Sequence, residues 1–160
     1  MRRDSGFTAL EVAVTLAIVA ILASLTMPSF LRWLNGHRLR GSAINLMADI
    51  ERAKIKAIRE SSFVTIQLEA GRYFVFLDDG SGGGVAGDLI RNGAEGLIQD
   101  RYLPSGVQIV LSELTLADNR MRFNSRGQAP DLAVPEFIPL VSSAGRKDVR
   151  VNRLGSVRVQ

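Results

Sequence analysis

The sequence predicts an α+β fold: one long N-terminal helix, membrane-spanning and then amphipathic, packed on antiparallel β-sheet. Three observations carry that expectation. No charged side chain occurs between Val12 and Leu31. A single apolar stripe, Leu39, Ala43, Leu46, Ile50, Ala53 and Ala57, then recurs at four-and-three spacing. From Phe63 onward the apolar period drops to two, in short runs separated by glycine, proline, asparagine and serine.

The charge-free run comes first. As a helix its roughly 20 residues rise ~30 Å, the hydrocarbon thickness of a bilayer. A cleaved secretory signal has a shorter apolar core, about 7–15 residues, with a small-residue cleavage site behind it. A generic single-pass anchor fits the length but leaves Glu11, at the leading end of the run, unexplained. At the centre of a membrane helix an acid costs ~2.5–3.5 kcal/mol on insertion scales, and intramembrane ionisable groups mark function. At a helix start the macrodipole lowers that cost. A helix-start acid lying among the headgroups is the plainer alternative. Arg2 and Arg3 precede the run, and Arg32, His37, Arg38 and Arg40 follow it, with Trp33 placed as an interfacial anchor.

Gly36 and Gly41 interrupt the helical pattern, each at ~1 kcal/mol relative to alanine in a helix interior. The apolar stripe then packs on the sheet. Asp49, Glu51, Arg52, Lys54, Lys56 and Arg59 are assigned to the other faces, and the helix ends near Arg59, before Ser61-Ser62.

Strands are expected at 63–68 and 73–77, joined as a hairpin through Ala70-Gly71. The glycine- and acid-rich segment 78–96 reads as a solvated loop. Further strands follow at 97–103, 107–111 and 121–123, and Asn124-Ser125-Arg126-Gly127 forms a turn. In 137–141, Pro135 and Pro139 suggest an edge or irregular strand. A last hairpin has strands 149–152 and 157–159 around Arg153-Leu154-Gly155-Ser156. Arg150 and Arg158 alternate with valines and project from the opposite sheet face.

The chain of 160 residues has no cysteine and one histidine, His37. That leaves no thiolate chemistry, no disulfide and no multi-histidine metal site. Asp78-Asp79-Gly80-Ser81-Gly82 with Asp88 offers oxygen atoms to calcium, but the alternating ligand pattern with its distal glutamate is missing. Gly82-Gly83-Gly84 is not followed by the Gly-Lys-Ser/Thr of a phosphate loop. No constellation for catalysis, a cofactor or a metal is present in the sequence. The net charge of +4 is concentrated late: eight basic and three acidic residues lie between Arg120 and Gln160.

The short basic leader, Gly6-Phe7-Thr8-Ala9-Leu10-Glu11 and the apolar run together resemble the class III signal of type IV pilins and type II secretion pseudopilins. Pro28 falls where pilin helices often carry a kinking proline. The Phe-Asn-Ser-Arg-Gly turn and the glycine-containing C-terminal hairpin resemble the H-type pseudopilins and the related FimT- and FimU-like minor pilins. The resemblance implies a pilin-like fold with leader 1–6, membrane part 7–31, amphipathic helix 32–60 and a periplasmic β-rich domain 61–160. It implies that a prepilin peptidase cuts between Gly6 and Phe7 and that the new amine of Phe7 is methylated. Glu11 would meet that amine on a neighbouring subunit. The chain would be a non-enzymatic, single-pass subunit of the bacterial inner membrane. Its partners are other pilins or pseudopilins, in a secretion pseudopilus or in the tip or initiation complex of a pilus. The alternative is a minor pilin that binds DNA during uptake, with Arg146, Lys147, Arg150 and Arg158 as candidate phosphate contacts. Its competitor is a merely solvated basic face, or contact with acidic neighbouring subunits.

Overall fold

The computed structural model describes residues 8–92 and 94–160. Helix α1 runs Ala9–Glu60. It passes unbroken through Gly36 and Gly41, which the sequence marks as interruptions. A helix penalty of ~1 kcal/mol per glycine is small beside the burial of an apolar stripe, which supplies most helical stability in proteins.

The chain divides into two units, one ending at Leu34 and the other Asn35–Gln160. In the first, the helix exposes its apolar side chains on every side, among them Leu16, Val19, Leu22 and Leu25. It is long and apolar enough to cross a membrane.

In the second unit the whole predicted stripe, from Leu39 to Ala57, is buried. The strands are β1 (Phe63–Leu68), β2 (Arg72–Asp78), β3 (Leu97–Tyr102), β4 (Gln108–Ile109), β5 (Arg120–Phe123), β6 (Glu136–Ser142), β7 (Gly145–Val151) and β8 (Val157–Val159). All pairs are antiparallel, in two four-stranded sheets ordered β3-β2-β1-β5 and β4-β6-β7-β8. Val64, Ile66, Leu68, Tyr73, Val75, Met121 and Phe123 of the first sheet join Ile109, Ile138, Leu140, Val149, Val151 and Val157 of the second in one core with the helix stripe.

Four more sequence expectations change. Strand 107–111 shortens to two residues, because the backbone coils into a 3₁₀ turn at Leu111–Glu113. The prolines do not put β6 at an edge: it lies between β4 and β7. The carbonyl of Pro139 accepts from the Val110 N–H (3.0 Å), so the proline nitrogen faces the same side, where β4 has already ended at Ile109. The one ladder bond it cannot donate, to the Val110 carbonyl, falls just past the end of β4. The segment 79–96 is a loop but its anchoring acids are not solvated: Asp78 and Glu95 are 0% and 1% exposed. Asp49, assigned to an outer helix face, is 3% exposed.

Glycine is required where two turns meet. Gly127 and Gly155 both have positive φ, 72° and 73°. Both lie against Lys54 of α1. The Ala129 N–H donates to the Arg153 carbonyl (2.9 Å), and the Lys54 ammonium donates to the Gly155 carbonyl (2.9 Å). These bonds join the 124–127 turn, the last hairpin and the helix.

Candidate functional site

Glu11 is the candidate residue of the first unit, and its local partner is Thr8. The Thr8 N–H and hydroxyl both donate to Glu11 Oε2 at 2.9 Å, and the Glu11 N–H points back to Thr8 Oγ1 at 3.3 Å. This is a capping box, in which residues three apart satisfy each other's orphan donors at a helix start. The Thr-x-x-Glu spacing makes it legible in sequence, whereas the resemblance looks past it to an intermolecular partner. The cleavage pair Gly6 and Phe7 lies outside the described residues.

In the second unit the four candidate basic residues do not act as one group. Arg146 is engaged twice, with Glu113 (2.7 Å) and with Asp148 (2.7 Å). The hydrogen bonds from Arg146 to Asp148 and Glu113 hold its pKa above the usual value. Lys147 alternates with Arg146 along β7, which puts it on the face of buried Val149 and Val151. Arg150 and Arg158 do come together: they are directly paired across β7 and β8. With Asn152 and Ser156 they line a cleft of about 210 Å³. The Arg150 guanidinium lies 5.5 Å from the centre of the Phe137 ring on β6.

Three buried acids that the sequence reading does not single out organise the unit. Asp49 on α1 accepts from the Tyr73 hydroxyl (2.8 Å) and from Arg101 Nε (2.7 Å). Tyr73 and Arg101 are register partners on β2 and β3, so one carboxylate ties the helix to two strands. The signal is that Asp49 precedes Ile50 by one, three residues beyond Leu46 on the buried stripe. Glu95 accepts from the Gly80 N–H (3.0 Å) and the Asn92 N–H (2.7 Å). Glu136 holds the amide and hydroxyl of Thr115.

Asp78, the candidate calcium ligand, accepts from Thr65 Oγ1 (2.7 Å), the Gly87 N–H (2.6 Å) and the Leu89 N–H (3.1 Å). Its lone pairs are committed to closing the 79–96 loop over the outer face of the first sheet. Arg122 of β5 completes that closure, donating to the Gly87 carbonyl and pairing with Asp131 (3.2 Å). Among the described residues no three of His, Cys, Asp and Glu are placed to hold a metal.

Burial, and then the hydrogen bond to Asp49, push the Tyr73 phenol far above its ordinary value. Its proton is therefore held in the folded chain at pH values where the unfolded chain releases it. The resulting stability is fully present below about pH 10 and declines above it, by about 1.4 kcal/mol per pH unit for one proton. Denaturant midpoints measured from pH 9 to 11 should fall less steeply in Tyr73→Phe than in the unmodified chain. Parallel slopes would show that another group carries the alkaline loss.

The family model of the type II transport protein GspH matches residues 42–155. That stretch begins beyond the charge-free run, so it is independent of the N-terminal signal. No curated protein matches the sequence. Among solved structures, the type IV minor pilin FimU of Pseudomonas aeruginosa (strain PAO1) is similar at 13% identity and a TM-score of 0.54, over 76% of this chain and 92% of that one. A second crystal form of FimU gives 12% identity and a TM-score of 0.57, over 80% and 92%. The minor pseudopilin EpsH from the Type 2 Secretion System of Vibrio cholerae gives 14% and 0.55, over 77% and 96%. At these identities the likeness is one of fold, a long helix packed on antiparallel sheets.

Proposed function

The chain belongs to the family of the type II transport protein GspH, and from that premise we propose how it is anchored, processed and assembled. Its role is that of a minor pilin or pseudopilin subunit. Residues 7–31 span the bacterial inner membrane once, 32–60 continue the helix, and the β-rich domain 61–160 stands in the periplasm. The prepilin peptidase removes residues 1–6, cutting between Gly6 and Phe7, and the Phe7 amine is methylated. The subunit acts by assembly with other pilins or pseudopilins and not by catalysis.

The observation that carries this reading is the single carboxylate, Glu11, at the head of a helix segment whose apolar side chains are exposed all round. Such a surface needs lipid or other helices as its surroundings. Within one chain Glu11 satisfies Thr8. In a packed helix bundle the amine of a neighbour's Phe7 offers a charged donor, and charge-assisted hydrogen bonds are roughly twice as strong as neutral ones. Glu11 exchanges its cap for that partner as the subunit enters the filament.

Mass spectrometry of membrane-extracted protein should show methylated Phe7 as the first residue. Glu11→Ala should keep that processing and lose subunit crosslinking. Unprocessed Met1 beside an active prepilin peptidase overturns the processing assignment. Wild-type crosslinking of Glu11→Ala overturns the pairing role.

A further inference from the structure

We propose that the outer face of the β7–β8 hairpin is a carboxylate-binding cleft whose occupant is an acidic side chain of a neighbouring pilin-class subunit. The proposal rests on the assembly role above and names one of its contacts.

The register puts Arg150 directly opposite Arg158. Like charges placed opposite each other destabilise a ladder. Arg146, on the same strand, is balanced by two acids. Neither Arg150 nor Arg158 forms an ion pair among the described residues. An anion between them removes the repulsion, and the fold leaves it room. The cleft lined by Arg150, Asn152, Ser156 and Arg158 measures about 210 Å³. At ~30 Å³ of liquid volume per water, that holds one carboxylate with several waters.

The lining is a set of donors. Asn152 Oδ1 accepts the Ser156 N–H (2.9 Å), which leaves the Asn152 amide nitrogen as a donor. The Ser156 hydroxyl and the two guanidinium groups complete the set, and no acid lines the cleft. Stacking against Phe137 at 5.5 Å steadies the Arg150 fork. A planar fork of N–H groups matches a carboxylate bidentately.

Phosphate shares that chemistry, and the surroundings separate the two. A nucleic-acid backbone is followed by a run of cations and by aromatic rings free to stack on bases. Here Arg146 is already neutralised and Lys147 is on the opposite face. The built unit is one opposed pair of arginines, suited to one acidic side chain.

The test uses the full chain in detergent micelles at low ionic strength, with fluorescein-labelled hexaglutamate as the probe and labelled duplex DNA in a parallel titration. Hexaglutamate should bind, and the double variant Arg150→Gln with Arg158→Gln should weaken it by about tenfold or more, the scale of losing charge-assisted hydrogen bonds. Arg146→Gln should bind as the unmodified chain does. Arg158→Gln alone should raise the thermal midpoint without peptide, because it relieves the opposed charges. A cooperative thermal transition in the double variant shows that it is folded; if it is not, Asn152→Ala replaces it and should weaken peptide binding severalfold. Absence of hexaglutamate binding, or binding unchanged in the folded variants, overturns the proposal. DNA binding through the pair without peptide binding also overturns it, in favour of a phosphate site. Because the titration uses isolated subunits, its failure leaves the Phe7 and Glu11 experiments to decide the assembly role separately.

Discussion

Gly155→Ala is expected to cost on the order of 3 kcal/mol or more, at the severe end for a single substitution. Two effects add. The residue has φ 73°, where a side chain costs roughly 1–2 kcal/mol. The new Cβ would also fall inside the contact sphere of the Gly127 carbonyl oxygen and at 3.1 Å from Lys54 Cδ. Lys54 can swing away, but the Gly127 oxygen is backbone and cannot move without opening its own turn. That turn is closed by the Gly127 N–H donating to the Asn124 carbonyl at 2.8 Å. Urea denaturation of the chain reads the loss as a lower midpoint. Gly71→Ala is the matched control, because its Cβ would meet nothing within 4 Å; it should change stability by no more than about 0.5 kcal/mol. Equal midpoints for the two variants would show that the interlocked turns contribute little.

Asp49→Ala is expected to destabilise the fold by about 2–3 kcal/mol. Removing one member of a fully buried ion pair costs ~3–5 kcal/mol, because the other is left uncompensated. Here the Asp49 side chain is 2% exposed but that of Arg101 is 32% exposed. The freed guanidinium can rehydrate, which lowers the cost. The Tyr73 hydroxyl, fully buried, cannot follow it. Tyr73→Phe in the Asp49→Ala background should therefore recover part of the loss, since a buried hydroxyl without an acceptor is worse than none. A double-mutant cycle on denaturant midpoints measures this coupling. Purely additive effects would separate Tyr73 from the carboxylate.

Much of this architecture is written in side-chain period. The Leu39-to-Ala57 stripe required no tertiary information, because a helix must bury one apolar face whatever covers it. The strands of the first sheet follow from period two and from the turn residues between them. The membrane-length run and Glu11 follow from counting charges. The capping box of Thr8 and Glu11 was equally local, since both partners lie within one helical turn.

What periodicity could not supply was partnership across the chain. A charged residue on a helix reads as solvent-facing until a strand provides its counterpart. Asp49 is buried because Tyr73 and Arg101, 24 and 52 residues away, deliver two donors to it. Asp78 reads as part of a solvated loop until the loop folds back and offers it the Gly87 and Leu89 amides. Proline reads as an edge marker until the neighbouring strand is seen to stop at the residue where its missing donor would have been needed. The basic C-terminal quarter divides in the same way. Composition counts Arg146, Lys147, Arg150 and Arg158 alike, but ion pairs with Glu113 and Asp148 neutralise the first, alternation along β7 turns the second to the other face, and strand pairing sets the last two against each other. Where the long helix, the charge-free run and most strands fall follows from neighbours one to four residues apart, which the residue order already contains. Which charges are buried, paired or left facing a cleft follows from turns and strand pairings, because the partners are groups that the fold, and not the local period, brings together.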